Sequence, residues 1–132
     1  RLEASAKQYG IYIQIADTTY QPVKDQIVIR DLDFVRVMGK TEPAQVYELI
    51  SETGQEPELY KKILPAFHEA LALYRNQEWN NAIEAFKASD ELEDMFPCRR
   101  TNPSRIYIPR CEHYRDNSPG DDWDGAWTLT SK

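Results

Sequence analysis

A glycine and a lysine stand together where the sequence turns between two strand patterns. Gly39 and Lys40 lie between alternating apolar stretches at 32–38 and 46–50, a pattern that predicts a β-hairpin with Lys40 at its tip. Glycine permits the tight turn, and the neighbouring ammonium group can reach forward to contact an anion. Without further support, however, a lysine at a hairpin tip is more simply a solvated charge that protects a sheet edge.

A second motif comes at the start of the chain. Arg1-Leu2-Glu3 is followed by Lys7-Gln8-Tyr9-Gly10, a helix-compatible stretch that ends at a glycine. Together with the predicted hairpin, it resembles the end of the catalytic domain in class III nucleotidyl cyclases of the bacterial type. These enzymes close ATP or GTP into the 3′,5′-cyclic monophosphate.

The resemblance implies a role for each of the two cations. Lys40 would bind the triphosphate, and Arg1 would stabilise the transition state, where a guanidinium group can direct two donors at phosphoryl oxygens. Two features depart from the family pattern. Met38 stands where a further lysine is common, and the asparagine expected four residues before Arg1 is not in the sequence.

The same resemblance implies a catalytic Mg²⁺ or Mn²⁺, a homodimer that shares its sites, and ATP as substrate, with GTP less favoured. The metal-binding aspartates and the purine-selecting residues are expected upstream of Arg1. We therefore expect the chain to be part of a longer parent enzyme and to be inactive in isolation.

The rest of the chain has a helical period. A polar stretch at 51–57 is interpreted as a linker, followed by a helix beginning near Pro65 and a second helix from Trp79 toward Leu92. The pair resembles one tetratricopeptide-like hairpin, which must pack on something else to bury its apolar face. A third helix is predicted from Pro103 to Tyr114. Many bacterial cyclases carry a similar tail, and the matching segments here are Pro103-Ser104-Arg105-Ile106-Tyr107, Cys111-Glu112-His113-Tyr114 and Trp123-Asp124-Gly125.

The predicted fold class is therefore α+β. Residues 1–51 are expected to be a remnant of a ferredoxin-like cyclase sheet, and residues 52–132 a small α-helical appendage built on an αα-hairpin. The alternative function for the whole chain is a non-catalytic module, in which the helical tail binds a protein partner or supports the cyclase dimer.

Composition excludes some other classes of function. The net charge of −6 and the pI near 4.9 argue against a nucleic-acid groove. No apolar run approaches the ~20 residues of a membrane span, although the parent could be tethered upstream. Two cysteines make no disulfide scaffold, which favours a cytoplasmic location.

Three other groups of residues have a structural interpretation that we prefer to a functional one. A metal site drawn from Cys98, Cys111, His113 and His68 fits no zinc spacing, and a buried thiol beside a surface histidine is the simpler reading. The tryptophans, Trp79, Trp123 and Trp127, are expected in the helical core. The arginines are expected to pair with carboxylates of the helical tail: Arg99, Arg100, Arg105, Arg110 and Arg115.

Overall fold

A computed structural model of the chain describes residues 8–36, 41–93 and 101–129. Within these residues a mixed sheet of four strands packs against helices, which confirms the predicted α+β class. The strands are β1 (Gln14–Ala16), β2 (Ile27–Arg36), β3 (Ala44–Glu52) and β4 (Trp127–Thr128). Their order in the sheet is β1-β3-β2-β4; β3 is antiparallel to both neighbours, and β4 runs parallel to β2.

Along the chain, helices lie between β1 and β2 and between β3 and β4. They are α1 (Asp17–Tyr20) with a 3₁₀ turn at Gln21–Val23, then α2 (Glu58–Arg75), α3 (Trp79–Glu93) and α4 (Pro103–Asp116). None of the helices in the described ranges combines the length and the apolar character needed to cross a membrane. The polar residues at 76–78, which predict a break in the helical pattern, separate α2 from α3. Helix α4 packs on α3.

Helix α2 starts two turns earlier than the sequence pattern predicted. It begins at Glu58, and Pro65 lies in its interior rather than at its first turn. The apolar face continues upstream through Tyr60 and Ile63, which are 6% and 0% exposed. Burial of these side chains outweighs the loss of one backbone hydrogen bond at the proline. The prediction placed the start wrongly because it treated the proline as a helix start.

The first strand and the first helix also differ in detail from the prediction. The β-branched and aromatic residues at 11–15 predict a strand there. In the structure β1 covers only Gln14–Ala16, and Tyr12 and Ile13 are 70% and 50% exposed. Aspartate is a favoured N-cap residue, so Asp17 is predicted to cap α1, but the N-cap residue is Ala16. The Asp17 carboxylate instead accepts hydrogen bonds from Gln21 and Tyr47.

A β-bulge changes which side chains of β2 face the helices. Asp31 is paired with Tyr47 and Asp33 with Val46, so Leu32 is the extra residue on this strand. The bulge shifts the alternation by one residue. Leu32 and Asp33 are consequently both buried, at 0% and 1% exposure.

The helical core is built largely from aromatic rings. Tyr107 of α4 stacks on Phe86 of α3 at 5.0 Å between ring centroids and meets Phe67 of α2 edge-on at 5.9 Å. Tyr74 lies 4.8 Å from Tyr107 in a similar edge-on contact. These contacts fix α2, α3 and α4 relative to one another.

Arg30, a fully buried side chain of β2, joins the sheet to the helices. Its Nε donates to Glu48 Oε1 at 2.9 Å, and its terminal nitrogens donate to the two carboxylate oxygens of Glu93 at 2.8 and 2.5 Å. Tyr60 donates to the other oxygen of Glu48 at 3.1 Å, and the guanidinium carbon lies 4.8 Å from the centre of the Phe67 ring. Burial alone would lower the pKa of Arg30, but the two carboxylates raise it, so the cation persists.

Replacing this cation tests how strongly the sheet depends on it. Arg30→Met should lower the free energy of unfolding by about 3–5 kcal/mol, because Glu48 and Glu93 lose the cation that compensates their burial. Urea denaturation followed by circular dichroism measures the change. Lys61→Met, which removes the exposed pair with Glu58, is the control and should leave the midpoint unchanged. Equal midpoints for wild type and Arg30→Met would contradict this account.

Candidate functional site

The two predicted site residues, Arg1 and Lys40, lie outside the described residues. The structure does describe both sides of the predicted turn: β2 ends at Arg36, the description resumes at Thr41, and β3 begins at Ala44. β2 and β3 are antiparallel neighbours, with Val35 opposite Ala44. The two predicted strands on either side of residues 37–40 are therefore present as antiparallel neighbours.

Arg36 forms hydrogen bonds that join the chain before the predicted turn to the chain after it. Its Nε donates to the carbonyl oxygen of Thr41 at 2.9 Å, and a terminal nitrogen donates to Thr128 Oγ1 at 3.1 Å. The other terminal nitrogen forms an ion pair with Asp124. One guanidinium group thus holds the end of β2, the start of the returning chain and the C-terminal part of the protein together.

Asp33 is the second centre of charge on β2. Its carboxylate forms a two-point ion pair with Arg110 of α4, at 2.9 Å for each oxygen, and accepts hydrogen bonds from the hydroxyls of Tyr9 and Tyr107. Tyr107 also donates to the carbonyl oxygen of Leu32 at 2.8 Å. Burial and the negative charge of Asp33 raise the pKa of Tyr9, so this phenol stays protonated. The Asp33 carboxylate is occupied by these partners and has a structural role.

A polar cleft lies where α2 passes the edge of β2. Its volume is about 500 Å³, and its lining includes Asp31, His68, Arg75 and Asn76. The backbone N–H of Asp31 donates to His68 Nε2 at 3.0 Å, so Nε2 must be the unprotonated nitrogen. Arg75 binds both oxygens of the Asp31 carboxylate, at 3.0 and 3.3 Å. Burial lowers the pKa of His68, and this effect outweighs the attraction of Asp31.

A larger and more apolar cleft, of about 690 Å³, lies beside the base of the hairpin. Pro109, His113 and Tyr114 of α4 line one side, and Trp127 and Thr128 of β4 line the other. Arg110 forms part of its wall, with its guanidinium carbon 4.7 Å from the centre of the Trp127 ring and 4.9 Å from that of Tyr107. The cation is thereby placed between two aromatic faces while it binds Asp33.

The predicted structural role of the cysteines depends on their burial. Cys98 lies outside the described residues, whereas Cys111 is fully buried, and burial raises the pKa of its thiol to about 12. Cys111 is thus the buried thiol that the sequence analysis preferred. Among the described residues, no three His, Cys, Asp or Glu side chains are grouped so that they could hold a metal ion.

Trp79 and Trp123 pack against the helical core, as predicted, whereas Trp127 lies on a strand of the sheet. Trp79 stacks on Tyr114 at 5.1 Å, and Trp123 lies 5.4 Å from Tyr74 and 5.6 Å from Trp79. Trp127 belongs to β4 and meets Tyr114 at 5.4 Å. These rings extend the helical core toward the hairpin.

The arginines follow the prediction only in part. Arg105 pairs with Asp90 of α3 at 2.8 Å, as expected for the helical tail. Arg110 instead pairs with Asp33 of the sheet, because α4 crosses the end of β2. Arg99 and Arg100 lie outside the described residues. The buried position of Arg30 was also not predicted. A charged residue at an inward-facing position of a strand is a signal that could have revealed it.

The chain is similar to an adenylate cyclase of Dictyostelium discoideum, the terminal-differentiation specific enzyme. The two are 31% identical over 115 residues, which cover 84% of this chain. The chain spans only 5% of the length of that relative. This similarity supports a relationship with adenylate cyclases. Neither a protein-family model nor a solved structure matches the chain significantly.

The hydrogen bond that His68 accepts should make stability depend on pH. The pKa of His68 is lower in the folded protein than the ~6.5 of an unfolded chain, so its contribution is complete above about pH 7 and is lost as the pH falls through the folded value. We expect the free energy of unfolding to decrease as the pH falls below about 7. His68→Gln should flatten this part of the profile, because an amide oxygen can accept from Asp31 at any pH in the range.

Urea titrations at each pH measure this dependence. Carboxylates contribute to the same profile below about pH 5, so the informative quantity is the difference between wild type and variant. His113→Gln, at an exposed position of α4, is the matched control and should keep the wild-type profile. A His68→Gln profile parallel to that of wild type would show that His68 is not responsible.

Proposed function

We propose that this chain is the C-terminal portion of a class III adenylate cyclase that converts ATP to 3′,5′-cyclic AMP and pyrophosphate. The observation that carries the proposal is the similarity to the Dictyostelium adenylate cyclase across 84% of the chain. The two antiparallel strands around residues 37–40 add support, because the resemblance requires a hairpin there. In this proposal β1, β2 and β3 are the remnant of a ferredoxin-like catalytic sheet.

Lys40 acts on the triphosphate in this reaction. The ribose 3′-oxygen attacks the α-phosphorus, a new P–O bond forms, and the bond to the leaving pyrophosphate breaks. Negative charge increases on the departing phosphates, and an ammonium group near them lowers the energy of that charge. A lysine at a hairpin tip suits this task, since its flexible stem can follow the phosphates.

Arg1 acts on the transition state. Its guanidinium group stays charged at every accessible pH and can hold two phosphoryl oxygens at once. Its contribution is greatest when the α-phosphorus carries both the attacking and the leaving oxygen. Catalysis depends on interactions of this kind, which are stronger in the transition state than in the bound substrate.

The proposal includes a Mg²⁺ or Mn²⁺ ion in the parent enzyme, which would neutralise phosphate charge when bound. Its ligands are expected among the upstream residues of the catalytic domain, since the described part of the chain contains no suitable cluster. ATP rather than GTP as substrate, and a homodimer that completes the site, belong to the same proposal.

The helices support the catalytic sheet in this proposal, as a tetratricopeptide-like pair followed by α4. The specific observation is that buried side chains of the helices, Glu93 and Arg110, form ion pairs with Arg30 and Asp33 of β2. A module that only binds an external protein would not need these contacts. The support of the sheet therefore explains the helices better than an independent interaction module does.

The experiment that tests the proposal is an assay of cyclic nucleotide production from ATP and from GTP, with Mn²⁺. It compares this chain with a longer protein that extends upstream through the missing catalytic residues. We expect cyclic AMP from the longer protein and none from this chain. An inactive longer protein would contradict the proposal.

Lys40→Ala in the longer protein should reduce kcat/KM for ATP by about 100-fold, through a higher KM and a lower kcat, because a phosphate contact is lost. Initial rates of cyclic AMP formation across ATP concentrations separate the two parameters. Lys62→Ala, at an exposed position of α2, removes an equivalent charge away from the hairpin and should leave both unchanged. An unaltered kcat/KM in Lys40→Ala would rule out the phosphate role.

Arg1→Ala in the same protein should act mainly on kcat, with a decrease of about 100-fold or more, because its interaction is made in the transition state. The same rate measurements give the result. Arg1→Lys should restore little of the activity, since an ammonium group cannot bind two oxygens in the planar geometry of a guanidinium. A loss confined to KM would assign Arg1 to substrate binding instead.

A further inference from the structure

The C-terminal part of the described chain is attached directly to the base of the hairpin. β4 runs parallel to the end of β2, with Val35 opposite Trp127 and Arg36 opposite Thr128. The backbone N–H of Leu129 donates to the carbonyl oxygen of Arg36 at 2.9 Å. Residues 120–129, here named the closing segment, thus contribute a strand to the sheet beside Arg36, the last described residue before the predicted turn.

A backbone hydrogen bond orients the carboxylate of Asp124, in the closing segment, for its ion pair with Arg36. Its Oδ1 accepts the backbone N–H of Ala126 at 2.9 Å, and Oδ2 pairs with the Arg36 guanidinium. The bond from Ala126, and then the interaction with Arg36, lower the pKa of Asp124, so it is charged at neutral pH. Gly125 has φ of +88°, a left-handed conformation that allows the chain to turn between the two.

The closing segment is also anchored on the helices. The Gln77 side chain, between α2 and α3, donates to the carbonyl oxygen of Gly120 at 2.8 Å. Trp123 packs against the aromatic rings of the helical core and donates to the carbonyl oxygen of Ala126 at 3.0 Å. Ala126 is only 3% exposed. The position of Asp124 is therefore set by the helical core.

A second connection reaches β2 from the same segment. The Trp127 ring lies against the guanidinium group of Arg110, which holds Asp33 of β2. Asp33 and Arg36 are three residues apart on this strand. The last four residues of β2 are therefore attached to the closing segment at two places, and the Arg36 connection continues across the turn to Thr41.

Because the Arg36–Asp124 pair is partly exposed, its main effect is expected to be local rather than on the stability of the whole fold. The side chain of Arg36 is 25% exposed and that of Asp124 is 44% exposed. Ion pairs this accessible contribute little to the free energy of unfolding. Their geometry, however, fixes the relative positions of Arg36 and Thr41, the described residues on either side of the predicted turn.

We propose that the closing segment is a clamp that positions the Lys40 turn, and that Arg36 and Asp124 are positioning residues of the cyclase. This inference rests on the proposed function, because it concerns the triphosphate contact of Lys40. The N–H groups of Arg36 donate to other residues of the protein. Arg36 therefore acts through the predicted turn and does not contact the substrate. A catalytic group that is misplaced by about 1 Å can lose up to about 100-fold in rate.

The test uses the longer, active protein with ATP as substrate. Asp124→Asn should decrease kcat/KM by roughly 10- to 100-fold while the melting temperature stays unchanged. Asp124→Glu, which keeps the charge, should recover part of the loss. Thr128→Val removes a second acceptor of Arg36 and should produce a smaller decrease in the same direction. Asp121→Asn, an exposed carboxylate of the closing segment, is the control and should behave as wild type.

A double-mutant cycle connects the clamp to Lys40. If Asp124 acts by positioning Lys40, the combination of Asp124→Asn with Lys40→Ala should be no less active than Lys40→Ala alone. A general structural defect would instead multiply the two losses. Such multiplied losses, or an Asp124→Asn enzyme with wild-type kcat/KM, would overturn the clamp while the cyclase activity stands. An inactive longer protein would overturn the proposed function and the clamp with it.

Discussion

Charge buried along β2 is the constraint on which the rest of the structure depends. Arg30 and Asp33 are both inaccessible to water, and each needs partners of opposite charge to compensate its lost hydration. Those partners come from other elements: Glu48 from β3, Glu93 from the last turn of α3 and Arg110 from α4. A helix displaced by one turn would leave a charge unpaired in the core. The ion pairs therefore select one arrangement of helices on the sheet, which apolar contacts alone would specify less sharply.

This arrangement determines where the C-terminal residues can go. Because α4 is held against β2 by Arg110 and Tyr107, the chain that follows α4 returns beside the end of that strand. There it adds β4 in parallel, next to Arg36. The buried ion pairs thus fix the positions of the helices on the sheet. The exposed contacts of Arg36 fix the chain on either side of the predicted turn.

Local patterns in the sequence predicted much of the fold. The α+β class, the antiparallel strands around Gly39 and Lys40, and the break at 76–78 follow from alternation, helical period and turn residues. The start of α2 did not follow, because burial of Tyr60 outweighs the preference of Pro65 for a helix start. The bulge at Leu32 was also missed, since a period-2 pattern has no signal for an inserted residue. Asp33 and Arg110 are 77 residues apart, and only the tertiary structure could pair them.

The similarity to the Dictyostelium enzyme extends across both portions of the chain. It covers 84% of the chain, so it must extend well beyond the predicted sheet portion at 1–51 into the helices. The two portions share two buried charge centres, and neither could change its charged residues independently without leaving a partner uncompensated. An appendage tethered only by a linker would be free of that restriction. Within the described residues, the sheet and the helices are thus joined by buried ion pairs as well as by the chain between them.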